Sequence, residues 1–119
     1  MSLSVHTFRY DAEGGHDFLD DPANGAELAG FESTRKRLWG GEGVTALGAR
    51  YFPRLAREDL YVERDDIADF LAECALLRPH LDDLAERGGY LPDYVRARFA
   101  NIVAAAERAR SVGGGIVVW

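Results

Sequence analysis

Two long stretches in the second half of the chain carry apolar residues at the spacing of a helix. Within residues 65–87 the apolar positions are Ile67, Phe70, Leu71, Cys74, Leu77, Leu81 and Leu84. Within residues 92–110 they are Val95, Phe99, Ile102, Val103, Ala106 and Ala109. Spacings of three and four residues place each set on one face of an α-helix. Because only residues 88–91 separate the two helices, we expect their apolar faces to bury each other.

Pro79 lies inside the first of these helices and should interrupt it. A proline removes one backbone hydrogen bond and clashes with the carbonyl four residues earlier, which costs about 3 kcal/mol in a straight helix. The apolar positions nevertheless keep their phase on both sides of Pro79. The pattern therefore predicts a kink or a break near residues 75–77, with both halves packed on the same core.

Three stretches have the composition of β-strands, and they are residues 3–10, 60–63 and 116–119. In the first, alternation places His6, Phe8 and Tyr10 on one face. The last is apolar throughout, so we expect it to pair within the sheet, with the strand at the other end of the chain as the first candidate. As an edge strand it could instead pair with its copy in a second molecule and form a homodimer.

The stretch between the first two predicted strands is less regular. Residues 16–25 are polar and predict an irregular loop after a turn at Gly14 and Gly15. Residues 26–39 predict a helix that ends at Gly40 and Gly41. Residues 43–53 fit a short helix that stops before Pro53. The whole order predicts one α+β domain over residues 1–119, in which a small sheet of about three strands packs against several helices.

Composition narrows the class of protein. The chain has 119 residues, of which 47% are hydrophobic and 29% are charged, and this balance is typical of a folded domain rather than a disordered chain. Its formal net charge of −6 disfavours non-specific binding to nucleic acid. No apolar run is long enough to span a bilayer, and the first residues lack the pattern of a signal peptide, so a cytoplasmic protein is expected. The single cysteine, Cys74, excludes an internal disulfide and falls within an apolar stripe, where we expect it to be buried.

No motif indicates catalysis, a metal or a cofactor. The glycines at 40–43 and 113–115 follow helices, whereas a phosphate-binding loop precedes one, so caps and turns are the expected role. The histidines lack the spacing of helical metal ligands. His16 lies near Asp17, Asp20 and Asp21 in what the pattern indicates is an acidic loop. His80 lies seven residues after Glu73, too far along a straight helix for a direct contact.

Three functional classes stay open. The leading hypothesis is a non-catalytic binding protein, and an inhibitor or immunity-type partner of another protein is its most concrete form. Its binding surface would be an acidic helix face that steers a basic partner, with no role for nucleic acid or membrane. That face would consist of Asp65, Asp66, Asp69, Glu73, Asp82 and Asp83. The alternatives are a small-ligand pocket lined by aromatic residues and an arginine, with Trp39, Tyr51 and His80 as candidates, and a small enzyme that uses His80 or His16 with a carboxylate.

Overall fold

An antiparallel sheet forms one layer of the protein in the computed structural model, which describes residues 2–119. Its strands are β1 (Ser2–Tyr10), β2 (His16–Phe18), β3 (Leu28–Phe31), β4 (Leu60–Val62) and β5 (Gly115–Val118). The strand order is β2-β1-β5-β4, and β3 also pairs with β1. This arrangement confirms the predicted α+β fold class, with five strands rather than about three. Residue 1 of the predicted domain lies outside the described range.

The helices lie on one side of the sheet, with α4 in direct contact with the strands. They are α1 (Glu42–Ala46), α2 (Ile67–Leu77), α3 (Leu81–Gly88) and α4 (Pro92–Val112). Helix α4 packs on β1, β3 and β5, and both α2 and α3 pack on α4. The predicted burial of the two apolar helix faces against each other is therefore confirmed. The break at Pro79 is also confirmed, but it lies at the 3₁₀ turn Arg78–His80 between α2 and α3, just after the predicted residues 75–77.

The two faces of the sheet differ because side chains alternate along each strand. On β1, Leu3, Val5 and Thr7 are buried towards α4, and the Thr7 hydroxyl donates a hydrogen bond of 2.8 Å to the carbonyl of Ala105. The other face carries His6, Phe8 and Tyr10, as their alternation predicts. Register places Ile116 and Val118 of β5 opposite Thr7 and Val5, and Val62 and Leu60 of β4 opposite Ile116 and Val118. The core therefore fills the space between this face of the sheet and α4, and it continues between α4 and the helices α2 and α3.

Strand β5 lies inside the sheet rather than at its edge. It pairs with β1 along one side, where Val5 faces Val118, and with β4 along the other, where Tyr61 faces Val117. The expected pairing of the first and last strands is confirmed. Since both sides of Gly115–Val118 are already hydrogen bonded, the alternative in which this strand pairs with its copy to form a homodimer has no edge available.

The predicted helix at residues 26–39 is wrong. Leu28–Phe31 form strand β3, and only Arg35–Trp39 are helical, as a single π-helical turn. Gly30 explains the difference, because its φ of +142° is incompatible with a helix. A Cβ atom at this position would also lie 2.6 Å from the Thr34 hydroxyl oxygen, so the chain can turn here only through a glycine.

Two other local predictions need correction. Residues 16–25 are not wholly irregular, since His16–Phe18 pair with β1 as β2. Three residues are too few to show a period in the sequence. The helix expected within residues 43–53 is short: α1 ends at Ala46, and Gly48 then adopts a φ of +99°. Pro53 does not follow a helix end but lies in the first turn of a separate 3₁₀ helix, Phe52–Ala56.

The Phe99 side chain tests whether α4 packs on the core as described. Phe99 is buried, and its ring contacts those of Trp39 and Phe52 at centroid distances of 6.1 and 6.4 Å. We expect Phe99→Ala to lower the free energy of unfolding by about 3–5 kcal/mol, because it leaves a cavity among aromatic rings. Leu91→Ala is the matched control, since Leu91 is 76% exposed, and it should change stability by less than about 0.5 kcal/mol. Equal effects in urea unfolding would contradict the packing.

Cys74 provides a second test of burial. Its side chain is buried in α2, and burial raises the pKa of its thiol to about 12 because the thiolate would lose its hydration. The thiol should therefore stay protonated and unreactive at about pH 8, where an ordinary cysteine is partly ionised. We expect a disulfide reagent to label Cys74 only after denaturation. Rapid stoichiometric labelling of the native protein would contradict this burial of Cys74 in α2.

Candidate functional site

Ring side chains gather on the face of the sheet opposite to α4. We call this surface the aromatic face, and it consists of His6, Phe8 and Tyr10 on β1, His16 and Phe18 on β2, Tyr61 on β4, and Trp119 after β5. Register brings them together: Phe8 faces Phe18, Tyr10 faces His16, and Val117 lies between His6 and Tyr61. Directly opposite residues in antiparallel strands share a face and contact each other. The sheet therefore builds this surface from four strands, of which only β1 and β2 are close in sequence.

Some rings of the aromatic face are buried, and others are exposed to solvent. Phe8 is fully buried, and the His16 ring stacks on it at a centroid distance of 3.8 Å. Phe18 and Trp119 stack at 5.7 Å, and the Tyr61 ring meets Trp119 edge-on at 6.3 Å. Phe18, Tyr61 and Trp119 are 44%, 40% and 40% exposed. Exposed apolar surface of this kind, gathered in one place, is typical of interaction sites.

His6 is held in one tautomer by its two partners. The Trp119 indole N–H donates to Nδ1 of His6 at 2.8 Å, and an indole nitrogen can only donate. Nδ1 must therefore carry the lone pair, and the proton lies on Nε2, which is 3.2 Å from Oδ1 of Asp21. His6 is neutral in this arrangement and links the Trp119 side chain to the loop that follows β2.

His16 forms the histidine–carboxylate pair of the aromatic face. Its Nε2 lies 3.1 Å from Oε1 of Glu63, and the Tyr10 hydroxyl donates to the same oxygen at 2.6 Å. Burial and the hydrogen bond to Glu63 raise the pKa of the Tyr10 hydroxyl, so this hydroxyl stays protonated. Because a carboxylate oxygen can only accept, the hydrogen bond to Glu63 places a proton on Nε2 of His16. The carboxylate partner is Glu63, and not the neighbouring aspartates of the loop.

The two carboxylates beside the aromatic face, Asp21 and Glu63, have no lysine or arginine as an ion-pair partner in the described range. They contact histidine and tyrosine side chains instead. One cation already lies on this face, because the Arg64 guanidinium lies over the Tyr10 ring at 4.9 Å, whereas Arg9 pairs with Asp17 at 3.4 Å. Two carboxylates beside exposed rings form an environment that favours a cation.

The six acidic residues expected on one helix face differ in their exposure to solvent. Asp65, Asp66, Asp69, Asp82 and Asp83 are exposed. Asp82 contacts Arg96, and Asp83 pairs with Arg87 at 3.2 Å.

Glu73 is different, because it is only 7% exposed. Its carboxylate accepts hydrogen bonds of 2.5–3.0 Å from the backbone N–H groups of Arg50, Tyr51 and Phe52. Glu73 therefore anchors the start of the 3₁₀ helix Phe52–Ala56 instead of facing a partner.

The three residues expected to line a ligand pocket lie in different environments. Trp39 is fully buried, and its indole N–H donates to the carbonyl of Ala29 at 2.9 Å. Tyr51 is buried against Phe70 and lines a hollow of about 350 Å³ to which neither Trp39 nor His80 contributes. His80 is exposed in the turn between α2 and α3. The structure therefore does not join these residues into one pocket.

Comparison with known proteins identifies no relative of this chain. No protein-family model, no curated protein and no solved structure matches the chain. In the described range, no group of three or more histidine, cysteine or acidic residues is placed to hold a metal ion. None of the helices over the same residues combines the length and apolar character needed to cross a bilayer. The chemistry of the aromatic face itself is therefore the guide to function.

The His6 tautomer is directly measurable. We expect ¹⁵N-detected NMR of the imidazole to show the proton on Nε2, because the Trp119 indole occupies Nδ1 as a donor. Trp119→Phe removes that donor and should make the two tautomers interchange. A wild-type ring protonated on Nδ1, or one that already averages between tautomers, would contradict the described contact.

Proposed function

We propose that this chain is a non-catalytic binding domain that docks a basic segment of a partner protein on its aromatic face. The observation that carries the proposal is the gathering of Phe18, Tyr61 and Trp119, each 40–44% exposed, beside carboxylates that lack a cation partner. Burying such rings against a partner is favourable, and aromatic residues are enriched where proteins bind each other. The two carboxylates add a preference for positive charge.

Arginine fits this surface better than any other side chain. A guanidinium group stacks on aromatic rings and binds a carboxylate through two parallel hydrogen bonds. Asp21 contacts His6, and Glu63 contacts Tyr10. His6 and Tyr10 are four positions apart along β1. Four positions of a strand span roughly 13 Å. An extended segment with arginines four residues apart would therefore place one near each carboxylate, with its backbone over the rings.

Charge at longer range supports a basic partner as well. The formal net charge of −6 would attract a basic protein and raise its association rate at low salt. An inhibitor or immunity-type protein that covers the basic site of its target is the most concrete biological form of this proposal. In that form the aromatic face supplies affinity through its rings, and the carboxylates supply specificity.

The test is an NMR titration with two short peptides that differ only in charge. One carries two arginines four residues apart, and the other carries glutamates in their place. We expect saturable shifts at Phe18, Tyr61 and Trp119 with the arginine peptide alone. Asp21→Asn and Glu63→Gln keep the hydrogen bonds to His6, His16 and Tyr10 but remove both charges, and together they should weaken binding roughly tenfold.

Asp83→Asn is the matched control, because Asp83 is an exposed carboxylate whose ion pair with Arg87 lies outside the aromatic face. It should change the affinity less than about twofold. The proposal fails if the glutamate peptide binds equally well, or if the arginine peptide does not bind below about 10 mM. Shifts confined to Asp65, Asp66 and Asp69 would also overturn it, since the basic segment would then bind the acidic helix residues.

A further inference from the structure

A hollow of about 300 Å³ lies between the turn Arg35–Trp39, α1 and α3. None of the residues that line it comes from the sheet, so it is separate from the aromatic face. Leu38 and Leu84, both buried, provide apolar contacts within it. Its volume falls at the lower end of the range for small-molecule sites, roughly 300–1,000 Å³.

The local charge of this hollow is opposite to that of the whole protein. Lys36, Arg37 and Arg87 line it together with a single carboxylate, Glu42, which leaves an excess of two positive charges. Lys36 forms no ion pair with any of the described residues, and Arg87 pairs only with Asp83, at 3.2 Å, on the exposed side of α3. Such an excess stands out in a chain whose formal net charge is −6.

Arg37 is fixed in place before any ligand binds. Its Nη2 donates to the carbonyl of Gly88 at 2.8 Å, and its guanidinium lies over the Tyr90 ring at 5.5 Å. A Cβ atom at Gly89 would lie 3.1 Å from the same nitrogen, so the glycine leaves room for this contact. A side chain held in this way loses little conformational freedom when it binds a ligand, which favours affinity.

Glycines also contribute to the lining of this hollow. Gly41 and Gly43 line the hollow with backbone alone. A Cβ atom at Gly43 would approach Leu84 Cδ2 to 2.8 Å, and one at Gly40 would lie 2.2 Å from the carbonyl oxygen of Arg35. Tight packing therefore accounts for the glycines at 40 and 43.

We propose that this hollow binds the phosphoryl group of a small phosphorylated molecule, held by Lys36, Arg37 and Arg87. A guanidinium matches the geometry of phosphate oxygens through paired N–H donors, and lysine adds a compact point charge. The apolar side chains of Leu38 and Leu84 then contact the rest of the ligand. This site is independent of the partner surface, and either proposal can fail without the other.

The test uses inorganic phosphate and pyrophosphate, followed by NMR at constant ionic strength with chloride as the reference anion. We expect saturable shifts at the amides of Gly41, Gly43 and Leu84, with pyrophosphate binding tighter than phosphate because it carries more charge. Arg87→Gln and Lys36→Gln should each weaken binding roughly fivefold to tenfold. Both residues are exposed, so these variants should remain folded.

Arg110→Gln is the matched control for Arg87→Gln. Arg110 is also an exposed arginine near the end of a helix, and it also pairs with an acidic residue of its own helix, Glu107. It should leave phosphate affinity unchanged within about twofold. Equal shifts with chloride, equal losses in the Arg110 variant, or shifts that map away from Gly41 and Leu84 would each overturn the proposal.

Discussion

The antiparallel pairing of β1 with β5 joins the two ends of the described chain inside the sheet, and the other strands attach to this pair. Strands β2 and β3 pair with β1, and β4 pairs with β5. On the helix side the pair places Val5 and Val118 in the core, and on the other side it places His6 next to Trp119. The core and the aromatic face therefore depend on the same backbone hydrogen bonds. A change that separated β5 from β1 would lose both.

The charges of this protein are distributed unevenly over its surface, which the net charge does not show. Within the total of −6, the aromatic face has two carboxylates without an ion-pair partner, the hollow beside α3 is basic, and one further carboxylate is buried in the fold. Glu73 is that carboxylate, and three backbone N–H groups satisfy it in a buried site. A buried anion is tolerated only when such donors surround it. Separate surfaces of opposite charge suit separate ligands, which is the arrangement that the two proposals require.

Local pattern predicted the helical half of the fold well, because long apolar stripes and Pro79 act within a few turns of one helix. It failed where the cause lies far away in sequence. Residues 26–39 look helical until the backbone of Gly30 and its pairing with β1 are known. The site was harder to predict, since Phe18 and Trp119 meet only through the register of three strands, β2, β1 and β5. The alternation of side chains along β1 was the one signal of this site in the sequence. It showed that His6, Phe8 and Tyr10 share a face, but not whether a helix covers that face.

The central claim is that the pairing of β1 with β5 assembles the aromatic face before any partner binds. The most direct measurement is the set of proton–proton Overhauser contacts of the Trp119 indole in the isolated protein. The described structure predicts contacts from this indole to the rings of Phe18 and His6, whose centroids lie 5.7 and 6.0 Å away. An indole with random-coil shifts and no contacts to either ring would contradict the account.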